Sequence, residues 1–290
     1  MKTNLALKTL KKNKSDSSLI PDDGGAAGTI AVVAGSGDLP ARVIHQLENI
    51  RQPYIVVSIA GDGPPEYPTF GVGEVGAMLE HIRSNHARKV LFCGSIKRPS
   101  MFSLHLDTMG KDWLKSLGVR AFLGDDALLK GIRKLLEREG LCVISPQSIV
   151  GTLLTPSGIL TKTLPCEADL KDIARGIFVL NALSKADVGQ AVVVQEGVVL
   201  GIEAAEGTKR LIERVLDLKI SPKRGGVLVK TSKINQDQLM DIPTIGKNTI
   251  MEADHAKLSG VALGASVSQI IDYEGTISLA DEKGLFVIGI

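Results

Sequence analysis

The stretch TIAVVAGSGDLPARVIHQL, residues 29–47, decides the fold class of this chain. Its apolar run, residues 29–34, predicts a strand, and the Gly-Ser-Gly of residues 35–37 predicts a tight turn. Asp38 and Pro40 then predict the first turn of a helix, with Asp38 as its cap. A strand, a glycine turn and a helix in this order begin a βαβ unit, so a parallel α/β sheet is expected.

The same alternation continues through the first half of the chain. Apolar runs predict further strands at 54–59, 89–93 and 141–145, and helical periodicity marks 75–83, 110–117 and 127–140. We therefore predict a Rossmann-like parallel α/β domain over residues 29–151.

The pattern changes after a predicted linker, residues 152–168, which is rich in Thr, Leu, Pro and Gly. Residues 190–203 predict two strands joined by a turn at Glu196-Gly197, with helices before and after them. A hairpin among helices predicts a mixed α/β domain over residues 169–290.

Composition excludes several classes of protein. The chain has 290 residues, 44% apolar and 23% charged, which is typical of a folded globular protein. Aromatic residues at 3% and a net charge of +2 argue against a nucleic-acid surface. The three cysteines form no C-x-x-C pair, which argues against a disulfide framework or a zinc knuckle.

Neither the body of the chain nor its start predicts a membrane span. No run of about 18 apolar residues occurs. Residues 1–28 begin with a lysine-rich stretch that has no apolar periodicity, so they predict a disordered basic tail. A weak attraction to anionic lipid is the alternative role for this tail.

The densest polar segment is residues 230–246, which follows a predicted strand. It places Asp237 and Asp241 just after Lys230 and Lys233. Carboxylates and lysines together can hold a hydrated divalent cation and neutralise phosphate oxygens. An ordinary solvated loop with charge pairs is the alternative, but the Pro-Thr-Ile-Gly turn that ends the segment favours an ordered, functional loop.

Three other features leave two interpretations open. The glycine turn at residues 35–37 predicts either a phosphate cradle at a helix N-terminus or a tight turn that glycine permits. The two acids after Gly124 predict either helix capping or a contact with ribose or metal. Glu203 predicts either a further acidic ligand or part of a capping pattern.

Several motifs together resemble one family. They are AGSGDLP (34–40), GDDALLKGI (124–132), DVGQAVVV (187–194), GVVLGIEAAEGT (197–208) and VLVKTSKINQDQLMDIPTIGKNTI (227–250). In this order they resemble the LpxI family, the UDP-2,3-diacylglucosamine pyrophosphatases of lipid A synthesis in Gram-negative bacteria. The chain departs from the family at Lys209, where aspartate is usual, and at Leu239-Met240, where an Arg-Val-like pair is usual.

The resemblance implies an activity and its surroundings. Family members hydrolyse UDP-2,3-diacylglucosamine to UMP and 2,3-diacylglucosamine 1-phosphate (lipid X), and they depend on a divalent metal, Mg²⁺ or Mn²⁺. They are typically homodimers whose two domains close on the substrate, so the resemblance implies a functional site in the cleft between the two domains. A cytoplasmic protein in peripheral contact with the inner membrane is therefore expected, with no nucleic-acid partner.

The motifs and the chemistry of their side chains give the candidate site residues. Asp241 and Asp237 are the predicted catalytic residues, and these two with Glu203 are the predicted metal ligands. The predicted substrate-binding residues are Gly35, Ser36, Gly37, Asp38, Gly124, Asp125, Asp126, Gln190, Lys230, Lys233, Gln236, Thr244 and Gly246.

Two other functions compete with hydrolysis. One is a non-enzymatic sensor that binds a UDP-sugar in the same cleft. The other is a nicotinamide-dependent oxidoreductase, which is disfavoured because the turn is G-x-G-x-x-P and the second strand ends without an acid for the ribose.

Overall fold

The structure is a computed structural model that describes residues 28–97, 104–118, 125–151, 154–221, 223–234, 236 and 239–290. The predicted tail, residues 1–28, lies outside this part of the chain except for Gly28. The predictions for Gly124 and Asp237 also fall on residues outside it.

Within the described ranges, the first domain is built on a sheet of five strands. They are β1 (Ile30–Ala34), β2 (Tyr54–Ile59), β3 (Thr69–Phe70), β4 (Lys89–Cys93) and β5 (Cys142–Val143). All pairings are parallel, and the strand order is β3-β2-β1-β4-β5. Every residue of β1 is buried, because helices cover both faces of a parallel sheet.

Five helices among the described residues cover this sheet. They are α1 (Leu39–Asn49), α2 (Val75–Ser84), α3 (Thr108–Leu117), α4 (Asp125–Arg138) and α5 (Gln147–Val150). α1 and α5 pack on one face, and α2, α3 and α4 pack on the other. The prediction of a Rossmann-like parallel domain is confirmed, although the strand predicted at 141–145 is shortened to two residues.

The predicted capping role of Asp38 is wrong. Asp38 precedes α1 with helical backbone angles, φ −84° and ψ −17°, and its side chain makes no capping hydrogen bond within the described part of the chain. A capping side chain needs an extended backbone to turn back onto the first free N–H groups of the helix. Pro40 does lie in the first turn, as expected.

In the part of the chain that the structure describes, the second domain carries a six-stranded mixed sheet. Its strands are β6 (Gly158–Ile159), β7 (Ala191–Gln195), β8 (Val198–Ile202), β9 (Val227–Lys230), β11 (Gly260–Leu263) and β13 (Phe286–Gly289), with β10 (Thr244–Ile245) and β12 (Gln269–Ile270) forming a separate parallel pair. The order is β6-β13-β11-β9-β7-β8, with β9, β11 and β13 parallel and the others antiparallel to their neighbours.

Helices lie on both faces of this second sheet. α6 (Glu167–Ser184) covers one face, and α7 (Gly207–Val215), α8 (Lys247–His255) and α9 (Tyr273–Lys283) cover the other. The mixed α/β prediction is confirmed. The stretch predicted as a linker contributes β6, which pairs with β13 at the edge of the sheet. No helix in the described ranges is long and apolar enough to cross a membrane.

The predicted hairpin joins β7 and β8 and is fixed to α6. Glu196 and Gly197 both have positive φ angles, 53° and 78°, as a tight two-residue hairpin turn requires. The carboxylate of Asp172 accepts the N–H of Glu196 at 3.0 Å and the N–H of Gly197 at 2.7 Å. A buried acid on α6 therefore holds the tip of the hairpin.

The two domains interlock through the loop that precedes β10. Met240 is buried in the core of the first domain, and Leu239 packs against the same core. Ile271 packs against the core on the opposite face of the first sheet. A surface ion pair of 3.5 Å between Arg42 and Asp272 adds a contact at this junction.

Candidate active site at the domain junction

Three strand ends of the second domain meet at the polar segment predicted from sequence. Lys230 is the last residue of β9, Gln190 precedes β7 and Glu203 follows β8. The antiparallel pairing of Ala191 with Lys230 places the start of β7 beside the end of β9. The N–H of Thr231 accordingly donates to the carbonyl of Gln190 at 3.0 Å.

Asp241 lies in this cluster and is held by Gln236. Nε2 of Gln236 donates to Oδ2 of Asp241 at 2.6 Å. The other end of the Gln236 amide accepts the N–H of Lys233 at 2.8 Å and the hydroxyl of Ser232 at 3.1 Å. These contacts fix which end of the amide faces the carboxylate, so Gln236 presents a donor to Asp241.

The surroundings of Asp241 shift the pKa of its carboxyl in opposite directions. Burial raises the pKa of its carboxyl most strongly, while Lys230, Lys233 and the Gln236 hydrogen bond lower it and Glu203 raises it slightly. The net direction is upward. Asp241 therefore lies close enough to both predicted lysines for their charges to lower its pKa, and burial of the carboxyl outweighs them.

Lys230 is a buried cation whose position is fixed by hydrogen bonds. Its Nζ donates to Oγ1 of Thr208 at 2.9 Å and to the carbonyl of Thr244 at 3.1 Å. Thr208 donates in turn to Oε1 of Glu203 at 2.5 Å, and Oε2 of Glu203 accepts the N–H of Gln190 at 3.0 Å. Both oxygens of Glu203 are thus engaged by the protein.

Lys233 pairs with Asp187, a residue that the sequence analysis did not single out. Nζ of Lys233 lies 2.5 Å from Oδ1 of Asp187. Oδ2 of Asp187 accepts the N–H of Asp126, at the start of α4 in the first domain, at 3.2 Å. Asp187 adopts φ 53°, a left-handed conformation that aspartate tolerates better than most residues. One carboxylate therefore joins a site lysine to the other domain.

A second chain of hydrogen bonds crosses the junction at Thr244. Its hydroxyl accepts from Nε2 of Gln269 at 2.6 Å, and Oε1 of Gln269 accepts from Nε2 of Gln147 at 2.6 Å. Gln147 begins α5 in the first domain. Neither glutamine was predicted, because no local pattern in the sequence brings residues this far apart together.

The glycine turn, for which the sequence left a phosphate cradle or a tight turn open, makes backbone contacts with the end of β4 and the loop after it. The N–H groups of Gly35 and Ser36 donate to the carbonyls of Cys93 and Ser95 at 2.9 and 2.8 Å. A Cβ atom on Gly35 would lie 2.5 Å from the carbonyl oxygen of Ser95. Glycine here allows the loops after β1 and β4 to pair, and two N–H groups that a phosphate would need are already used.

A cleft of about 510 Å³ lies beside this glycine turn. It is lined by Gly35, Ser36, Gly37, Pro40, Ala41, Ile44, His45, Glu48, Asp62, Gly63, Pro64, Glu66 and Tyr67. The lining carries three acids and no lysine or arginine, so its charge does not favour a diphosphate. Among described residues, no hydrogen bond or ion pair connects the turn to Asp241.

The remaining described site residues from the sequence analysis, Asp125, Asp126 and Gly246, lie at the starts of helices. Asp125 begins α4, and the carboxylate of Asp126 pairs with Lys130 at 2.6 Å within that helix. Gly246 directly precedes α8 in an extended conformation, φ −157°. No group of three or more His, Cys, Asp or Glu side chains among the described residues converges on a possible metal position.

The fold and the cluster together define a two-domain α/β protein whose carboxylate-and-lysine site lies where the domains meet. The chain belongs to the LpxI family. The LpxI N-terminal domain matches residues 29–153 and the LpxI C-terminal domain matches residues 156–288. The chain is also 34% identical over 271 residues to the UDP-2,3-diacylglucosamine pyrophosphatase LpxI of Caulobacter vibrioides, covering 90% of this chain and 97% of that protein. The family predicted from the motifs is confirmed.

Proposed function

We propose that this chain hydrolyses the pyrophosphate of UDP-2,3-diacylglucosamine to UMP and 2,3-diacylglucosamine 1-phosphate. The observation that carries the proposal is the 34% sequence identity, over 90% of this chain, with a relative named for that activity. One water adds to one phosphorus, the bridging P–O bond breaks, and each product keeps one phosphate.

The cluster supports the proposal because its side chains suit this chemistry. Lys230 and Lys233 hold positive charges in fixed positions, and fixed charges stabilise a developing phosphate charge without reorganising. Asp241, oriented by Gln236, is the group we assign to receive a proton from the attacking water. These assignments remain predictions for the activity assay.

We also propose Mg²⁺ or Mn²⁺ as cofactor. Proteins usually hold Mg²⁺ with one or two carboxylates, together with waters and substrate phosphates, and Asp241 supplies such a carboxylate. Glu203 is the less favourable of the predicted ligands, because Thr208 and Gln190 already occupy its oxygens. When bound, the cation would neutralise phosphate oxygens.

The substrate class also bears on where the chain acts. A substrate with two acyl chains is held in a membrane, so we propose peripheral contact with the cytoplasmic face of the inner membrane. The proposal of a homodimer rests on the family resemblance of the motifs alone.

Phosphorus NMR tests the activity and the metal together. Pure protein with UDP-diacylglucosamine in detergent micelles and Mg²⁺ should convert the diphosphate signals into two monoester signals. The same protein with EDTA should leave them unchanged, and added Mn²⁺ should restore conversion. Absence of conversion with either metal would refute the proposed hydrolysis, and full conversion in EDTA would refute the metal requirement.

A further inference from the structure

The outward face of α6 has an unusual distribution of charge. Lys171 and Arg175 lie along it at helical spacing, and Lys185 directly follows the last residue of the helix; all three are exposed. Phe178 lies on the same stripe with 65% of its surface exposed. The Arg175 guanidinium lies 5.5 Å from the centroid of the Phe178 ring. The stripe therefore joins an exposed aromatic ring to three cations.

The acids of α6 mostly face the other way. Asp169 and Asp172 are buried, with 7% and 3% of their surface exposed. Asp169 accepts the N–H of Cys166 at 2.9 Å, and Asp172 accepts the hairpin N–H groups described above. The acids are used inside the protein, which leaves the outward face of the helix basic.

Further apolar side chains border the N-terminal end of this face. Leu170 on α6 is 49% exposed, and Leu164 just before the helix is 66% exposed. The exposed acid Glu167 lies at the same end, where it pairs with Lys171 at 2.8 Å. Positive charge consequently becomes more dominant toward Lys185.

We propose that the outward face of α6 docks on an anionic lipid bilayer. Exposed aromatic and leucine side chains insert at the headgroup boundary, and cations around them attract anionic headgroups. The proposal rests on the proposed function in one respect, since a diacylated substrate explains why the chain needs such a surface. The choice of face rests on the side chains of α6 alone.

The charge pattern argues against a second copy of the chain as the occupant. A two-fold interface brings the same patch of both subunits together. Lys171, Arg175 and Lys185 would then face the same cations of the partner, and like charges placed together oppose association. An anionic bilayer complements these cations.

Vesicle sedimentation of the full chain tests the proposal. The protein should bind vesicles of equal parts phosphatidylglycerol and phosphatidylcholine and fail to bind phosphatidylcholine alone. Replacing Lys171, Arg175 and Lys185 together by Gln should weaken binding on the order of 100-fold, since each cation near the surface contributes about fivefold. Phe178→Ser should weaken it about tenfold or more, because it removes the exposed ring that would insert into the bilayer.

Matched controls separate this face from the rest of the molecule. Ile50→Ser removes a similarly exposed apolar side chain from the first domain, and Lys111, Lys115 and Lys257 replaced by Gln remove the same charge elsewhere. Both should bind as the unmodified protein does. A third control replaces the five lysines of residues 1–14 by Gln in the full chain, and binding should persist.

Three results would overturn the proposal. The first is normal vesicle binding by the α6 variants. The second is loss of all binding in the lysine-tail variant, which would assign the binding to the tail. The third is a halved mass in light scattering for Phe178→Ser, which would make this face an interface between two copies of the chain. Turnover in detergent micelles, measured on the same samples, keeps the two proposals distinct. A protein without turnover that still binds vesicles through α6 would contradict only the proposed function. A protein with turnover that does not bind anionic vesicles would contradict only the docking.

Discussion

Asp187 holds Lys233 with one carboxylate oxygen at 2.5 Å and the N–H of Asp126 with the other at 3.2 Å. The pair therefore links a lysine of the candidate site to the first turn of a helix in the other domain. A partly buried charge pair of this kind costs more to break than a surface pair, because removing one partner leaves the other uncompensated.

We predict that Asp187→Asn lowers kcat/KM about tenfold, mostly through KM, because Lys233 loses its fixed partner. Asparagine tolerates the left-handed backbone of this position, so the substitution removes charge with little added strain. Steady-state kinetics would show the effect, with Glu206→Gln as a control for loss of an ion pair outside the cluster. A double variant with Lys233→Met should be no worse than Lys233→Met alone, and additive losses would contradict the coupling.

For Asp241→Asn we expect kcat to fall by at least about 100-fold, since loss of a general base typically costs 10²–10⁴. The change removes charge without changing shape, so circular dichroism should be unaltered. Asp217→Asn, at an exposed position in the same domain, is the matched control. A near-normal kcat for Asp241→Asn would place the centre elsewhere.

The raised pKa of Asp241 predicts how the metal-free protein takes up protons. Burial is the main cause of the rise, because it disfavours the ionised carboxylate. In EDTA, Asp241 should therefore be protonated on acidification at a pH above the ordinary aspartate range. An NMR titration of its carboxyl carbon checks this, and protonation at the ordinary aspartate pKa would contradict the buried setting of the carboxyl.

A stability prediction concerns Asp107, which joins two helices of the first domain. Oδ1 accepts the N–H of Gly110 at 2.7 Å, and Oδ2 accepts the N–H groups of Gly76 at 2.7 Å and Ala77 at 3.2 Å. Burial alone would raise its pKa, but these three backbone donors and nearby His105 lower it, and the net direction is downward. Asp107→Asn offers one acceptor oxygen in place of two, so we expect a loss of about 1–3 kcal/mol.

The contribution of Asp107 should also depend on pH. Because the pKa is lower in the folded state, the stabilisation is present above the unfolded-state pKa and is lost as pH falls through the folded-state pKa. Urea unfolding of both proteins should show a gap at neutral pH that narrows in acid. A gap of constant size would mean that the carboxylate charge contributes nothing.

The pairing of the loops after β1 and β4 gives a second prediction about stability. Gly35→Ala would bring a Cβ atom to 2.5 Å from the Ser95 carbonyl oxygen, so the loops must separate. We expect a loss of about 1–3 kcal/mol in the free energy of unfolding. Gly28→Ala is the matched control, since a Cβ atom there meets no described atom within 4 Å. Equal thermal unfolding of the two variants would contradict the steric argument.

Local pattern predicted most of the elements but only part of the site. β1 and α1 follow directly from the run that ends in Gly-Ser-Gly, and the hairpin follows from Glu196-Gly197. Gln236 and Asp241 were found because they share one polar segment. Asp187 and Gln147 were missed because their contacts reach other elements or the other domain, and no periodicity encodes such contacts.

The error at Asp38 has a similar origin. An acid before a proline-bearing first turn is typical of a helix cap, yet Asp38 has helical backbone angles and follows a glycine turn whose N–H groups bond to Cys93 and Ser95. A single sequence does not reveal such a contact between distant residues.

Leu239 and Met240 have a consequence for how this protein could be recombined. They belong to the second domain by chain order but to the first by packing, and they directly precede Asp241. A chimaera that exchanges first domains between relatives would therefore change the apolar core against which Leu239 and Met240 pack, directly before Asp241. The boundary between the domains in the sequence is therefore not a safe point for recombination. A functional exchange must carry residues 239–240 and their first-domain neighbours together.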